Sequence, residues 1–111
     1  THEMSLREEP FRKISSGEKR IELRLMDEKR RKIRVGDRIA FRLVGSEETL
    51  LVRVIGVHTY HDFDEVSDDF SDHDTGIEGE SKGLGELMRA YYSDEDVKKY
   101  GVLAIRIMLE N

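Results

Sequence analysis

Apolar and polar residues alternate along several stretches of this chain, and each stretch predicts a half-buried strand. Ile21, Leu23 and Leu25 share one face of residues 20–25, with Arg20, Glu22 and Arg24 on the other. Residues 38–44 alternate likewise, placing Ile39, Phe41 and Leu43 together. Residues 49–58 form the longest apolar run (Leu51, Val52, Val54, Ile55, Val57) and read as a central strand. Gly45-Ser46-Glu47-Glu48 makes a plausible hairpin loop between the two. The last strand covers 102–109, with Leu103, Ile105, Ile107 and Leu109 on one face, and a short first strand covers 4–7.

Between these runs the spacing turns helical. Pro10 opens a helix that faces Phe11 and Ile14 to the core, and Gly17 follows it where a left-handed residue ends a helix. Residues 27–32 form a charged helical turn, and Val35-Gly36-Asp37 turns into the next strand. Asp62 caps a short helix around Phe63, Glu65 and Val66. Residues 67–83, rich in Asp, Ser and Gly, predict one long solvated, flexible acidic loop. Residues 84–92 are helical, with Leu84, Leu87, Met88 and Tyr91 buried and Tyr92 exposed. Ser93 caps another helix whose first turn carries Asp94, Glu95 and Asp96, and Gly101 ends it. Closely spaced strands with appended helices point to an α+β chain, an antiparallel or mixed β-barrel.

Composition narrows the chemistry. The 111 residues suit one domain, 1–111, with no second core. Cys is absent, which excludes disulfides, Cys-ligated zinc and thiol catalysis within this chain. No run approaches the ~18 apolar residues of a membrane span, and residues 1–7 contain no apolar signal region. A cytoplasmic protein with no membrane partner is the expectation. The net charge of −5 is uneven: residues 1–53 carry +4, residues 62–80 carry nine acids and no Lys or Arg, and residues 81–111 balance. An acidic whole disfavours tight non-specific duplex binding, while a local basic face remains available.

Four groups of residues are candidates for function. Lys19, Glu22 and Arg24 come first, with Glu22 and Arg24 side by side on one strand face and Lys19 at the preceding turn. Arg24 offers a planar fork to a phosphate or base edge, and Glu22 an acceptor or base. Arg20 adds a neighbouring cation. As an exposed cross-strand ion pair the same residues would do little. Lys29, Arg30, Arg31, Lys32, Arg34 and Arg38 form a basic run, either a phosphate-tracking patch or a solvated turn. Tyr60, Phe63, Tyr91, Tyr92 and Tyr100 are aromatics that either pack or stack on an unpaired base, with Tyr92 the best placed for stacking. His58-x-x-His61 has metal-like spacing, but positions three apart on a strand face opposite ways. Asp72-x-Asp74-x-Gly76 opens like a calcium loop and then loses register, so no metal is expected. No serine triad, phosphate-cradling glycine loop or dinucleotide fingerprint appears, and no cofactor is expected.

Leu6, Pro10-Phe11, Ile14, Gly17-x-Lys19, Glu22-x-Arg24, Val35-Gly36-Asp37 and Tyr91-Tyr92 through Tyr100-Gly101-Val102 together resemble the small ASCH proteins, the activating signal cointegrator homology domain. The resemblance implies a PUA-like β-barrel that binds RNA or a nucleotide-like ligand in a cleft lined by the Gly17–Arg24 motif. Some relatives are hydrolases, either ribonucleases or an acetylcytidine amidohydrolase with the stretch Gly-x-Lys-Thr-x-Thr-x-Arg. Carried over by position, its nucleophilic lysine falls on Lys19 and its arginine on Arg24, while its helper threonine falls on Glu22, a departure. Ligand binding through Lys19, Arg20, Glu22, Arg24 and Tyr92 is thus the leading expectation. Hydrolysis by Lys19 and Glu22 is the alternative, and a protein-interaction module built on the acidic loop is a third.

Overall fold

A computed structural model describes residues 1–110. Five strands form one mixed sheet in the order β1-β3-β4-β5-β2, curled into a half-barrel with five flanking helices. The strands are β1 (His2–Leu6), β2 (Ile21–Leu25), β3 (Arg38–Leu43), β4 (Thr49–Tyr60) and β5 (Val102–Leu109). The helices are α1 (Glu8–Ser15), α2 (Phe63–Asp69), α3 (Asp72–Thr75), α4 (Leu84–Met88) and α5 (Asp94–Tyr100). The architecture is α+β, as the alternating runs lead one to expect, and consistent with the PUA-like fold that the family resemblance implies.

The β1–β3 pair is parallel and the others are antiparallel. On β4, Val54 pairs with Ile107 and Gly56 with Arg106, so Ile55 is an extra residue. Such a bulge bends and twists its strand, which helps the sheet curl. Curling leaves two apolar layers. Inside the curl, Met4, Leu6, Phe11, Ile14, Ile39, Phe41, Val52, Val54, Leu103, Ile105 and Ile107 pack beneath α1. Outside it, Ile21, Leu23, Leu25, Val102 and Ala104 are covered by Phe63, Val66 and Leu84 from α2 and α4. β2 and the start of β5 are therefore buried on both faces, which a strictly alternating pattern does not announce.

Three stretches differ from expectation. α1 starts at Glu8 instead of Pro10, because the N–H groups of a first turn have no intrahelical acceptor and tolerate Pro throughout. The segment 67–83 is not one solvated loop. It holds the end of α2, the helical turn α3 capped by Ser71, and a buried Thr75. Asp72 and Asp74 belong to that turn, and its left-handed Gly76 ends it. Finally, α4 stops at Met88 instead of running to residue 92. After it, Arg89, Ala90 and Tyr91 donate to carbonyls three residues back, a tighter winding than the α-helix. The changed phase swings Tyr91 out to 55% exposure and turns Tyr92 inward, stacked on Phe63 at 5.7 Å. That reverses the expected roles of the two tyrosines.

Candidate functional site

The turn between α1 and β2 is fixed on both sides. Gly17 takes a left-handed φ of +86°, and its N–H donates to the Ile14 carbonyl. The Lys19 N–H donates to the Lys13 carbonyl and the Arg20 N–H to the Asp74 carbonyl, tying the turn to α1 and α3. From here the Lys19 side chain reaches Glu22, with Nζ 2.9 Å from Oε1. Arg24, two residues further along the same face, meets Oε2 through Nε at 3.0 Å and Nη2 at 2.9 Å. One carboxylate thus holds two cations, one on each oxygen. Glu22 is only 3% exposed.

Burial alone would raise the Glu22 carboxyl. Lys19 and Arg24, through charge and hydrogen bonds, outweigh that and hold it below its ordinary 4.5.

The reason a charged face lies buried is the unclosed seam of the barrel. β1 and β2 are the two edges of the sheet. The Leu6 carbonyl accepts from Val44 on the β3 side, so the alternate carbonyls Ser5 and Glu3 face away from β3. Arg24 Nη2 donates to the Ser5 carbonyl at 2.8 Å, and Lys29 Nζ donates to the Glu3 carbonyl at 2.9 Å. Side-chain cations therefore cap the open edge of β1, which removes an exposed pairing surface.

A cleft of about 500 Å³ opens over this seam. Lys19, Glu22 and Arg24 form its charged floor, with Arg7, Lys13, Glu9 and Glu80 around them, four cations against three acids in all. Leu84, Leu87, Met88, Tyr91 and Tyr92 supply apolar and aromatic wall. Lys13 Nζ is held by the Gly76 carbonyl at 2.8 Å and by Glu9 at 3.0 Å. Gly76 lies against the Lys19 stem: a Cβ there would come within 2.9 Å of Lys19 Cδ, and its φ of +84° already disfavours any side chain. Gly76→Ala is expected to cost about 1–2 kcal/mol and to shift Lys19 off Glu22. Chemical denaturation reads the first effect, and the shifted Lys19 side-chain NMR signals read the second. Neither change would appear if the turn were free to give way.

The structure gathers most of the sequence-derived site. Lys19, Glu22, Arg24 and Tyr92 all line the cleft. Arg20 does not. It is exposed, with Nε donating back to the Gly17 carbonyl at 3.4 Å. Tyr92 is a half-buried wall residue, and burial pushes its phenol up. The exposed ring is Tyr91, with the Arg7 guanidinium 4.9 Å over it. Arg7 and Lys13 carried no sequence signal, since isolated cations in amphipathic elements look like solvated surface. The basic run is partly committed elsewhere: Lys29 to Glu3, Arg30 to Asp27 at 2.8 Å, and Arg38 to Glu110 at 2.6 Å. His61 is 95% exposed, whereas His58 Nε2 is buried beneath Phe70. No cluster suited to a metal occurs among the described residues, nor any helix long and apolar enough to cross a membrane. A smaller cavity of about 360 Å³ shares Met88 and Tyr92 with the cleft, but sets Asp62, Asp64 and Asp94 against Arg89 and Lys98, so it lacks a basic excess.

A curled mixed sheet with a charged cleft at its seam defines the class of protein. The ASCH domain family model matches residues 4–110, and the chain belongs to that family. Two solved structures are similar over 97% of this chain. The crystal structure of hypothetical protein PH0355 is 38% identical, with a TM-score of 0.84 and 97% of that chain covered. The solution NMR structure of protein PF0455 from Pyrococcus furiosus is 36% identical, with a TM-score of 0.72 and 96% covered. No curated protein matches the chain.

Proposed function

We propose that this ASCH chain binds RNA or a nucleotide-like ligand in the seam cleft, with Lys19 and Arg24 as the recognising cations and Glu22 positioning them. The observation that carries this reading is the two-cation bridge on one buried carboxylate, set in a cleft of nucleotide size. An ammonium has three donors and a guanidinium five. Glu22 and Ser5 engage one Lys19 donor and the Nε and Nη2 groups of Arg24. The remaining donors are held in place without a ligand's help, which lowers the ordering cost of binding. One bridge carries a net charge of +1, suited to a phosphate or an electron-rich base edge.

Hydrolysis is the second reading, favoured by one distance. Lys19 Nζ lies 2.9 Å from Glu22, within the reach a nucleophile and its base require. Glu22 is already shared between two cations, which supports the positioning role over the base role. One experiment addresses both. Labelled single-stranded RNA and acetylcytidine are each incubated with wild type and with Lys19→Ala. Binding is expected to weaken about tenfold in the variant and to fall with added salt. Affinity that ignores both salt and Lys19 would refute the binding reading. Acetylcytidine turnover that requires Lys19 would establish the hydrolytic one.

A further inference from the structure

Resting on the binding reading above, we infer that the cleft accepts one unpaired nucleotide, stacks its base on Tyr91, and favours a base that presents acceptors, guanine first. Three observations carry this. First, the charged floor offers donors. Both Glu22 oxygens are engaged by cations, so at this floor the groups left to meet a ligand are N–H groups of Lys19 and Arg24. Of the other carboxylates on the lining, Glu9 is paired with Lys13 and Glu80 stands on the exposed wall. Guanine presents O6 and N7, two acceptors side by side. On the same edge uracil presents O4 alone, adenine pairs N7 with an amine, and cytosine presents an amine, while an unpaired cytosine carries its two acceptors, N3 and O2, on the Watson–Crick edge. Two cations hung on the two oxygens of one carboxylate match the O6/N7 edge of guanine, which carries no amine, and meet an amine on that edge of adenine.

Second, Tyr91 is a half-exposed aromatic ring that lines the cleft, with the Arg7 guanidinium 4.9 Å over it. Arg7 covers part of the ring and 55% of the residue is exposed; an exposed tyrosine beside a cleft is the usual platform for a single-stranded base. Third, about 500 Å³ accommodates a nucleoside and excludes a base pair with its two backbones. The same donors would also take a phosphate oxygen, so the probes must separate base from backbone.

The chain contains no Trp, so Tyr91→Trp installs a single reporter that a stacked guanine quenches. The probes are labelled oligouridines of seven nucleotides whose central base is G, U, A or C. The G probe should bind most tightly, about tenfold or more above the A probe. Tyr91→Ala should weaken the G probe about tenfold while leaving the melting temperature near wild type, because the residue is more than half exposed. The Tyr91→Trp emission should fall on adding the G probe. Salt-sensitive, Lys19-dependent binding that is blind to the central base, or to Tyr91→Ala, would overturn this inference and leave the cleft reading standing. No binding of any probe would overturn both.

Discussion

Glu22→Gln should destabilise the protein by about 3 kcal/mol, a loss of roughly 15 °C in melting temperature. The carboxylate is buried and serves Lys19 and Arg24 at once, through both oxygens. An amide supplies one acceptor oxygen and turns an NH₂ donor towards the other cation. That leaves two neighbouring cations, only 13% and 14% exposed, without their shared counter-charge. Removing one partner of such a buried set costs far more than removing a surface pair. Arg12 and Glu48 give the internal comparison: two hydrogen bonds of 3.0 Å, but both side chains about half exposed. Breaking that pair should cost under about 1 kcal/mol.

The same substitution has a pH signature. The folded chain holds the Glu22 carboxyl below its ordinary 4.5, so the unfolded chain binds that proton first as pH falls. The Glu22 contribution is therefore complete above about 4.5 and disappears as pH drops through the lower, folded value. The gap between wild type and Glu22→Gln should be widest near neutral pH and should narrow in acid. Urea denaturation at pH 7 and pH 3 measures it. An equal gap at both would mean that Glu22 is not held as a carboxylate between its cations.

Arg24→Lys should cost about 2 kcal/mol despite keeping the charge. The guanidinium spans from Glu22 to the Ser5 carbonyl, joining β2 to the open edge of β1 across the seam. A lysine ammonium is a point donor on a flexible stem and does not reproduce that fork. One charged hydrogen bond is worth roughly 1.5–3 kcal/mol. The loss should fall on β1 first, since β1 has a ladder partner only on the β3 side. Hydrogen exchange of the β1 amides should accelerate while β4 and β5 stay protected, and ligand affinity should fall with it. Uniform exchange across the sheet would show that Arg24 does not close the seam.

Much of this protein was written locally. The strict alternation of residues 21–25 set the strand and its apolar face, because side chains on a strand repeat every two residues. Asp62 and Ser93 were legible as caps, since a cap needs only a side-chain oxygen and an N–H three residues away. Both make that bond, to Glu65 at 2.9 Å and to Asp96 at 3.1 Å. Lys19, Glu22 and Arg24 were legible as a group because their partners lie within five residues of one another.

Other features depend on residues far apart in the chain. A glutamate on the polar face of an alternating strand reads as solvated, and only the cover provided by the seam and its cleft walls makes Glu22 buried. Lys13 meets Gly76 across 63 positions and Arg24 meets Ser5 across 19, so neither contact leaves a local trace. The parallel pairing of β1 with β3 also needs the whole sheet, because a strand's own pattern says nothing about its neighbour's direction. The tyrosines show the limit most clearly. Helical spacing made Tyr91 the buried ring, but three-residue hydrogen bonds tighten the turn after Met88 and Phe63 waits to stack on Tyr92. The sequence by itself determined the strands, the caps and the charged trio. The tertiary structure alone decided that the trio is buried at a seam and which ring stands exposed at the cleft, because burial and phase are set by what packs from outside the element.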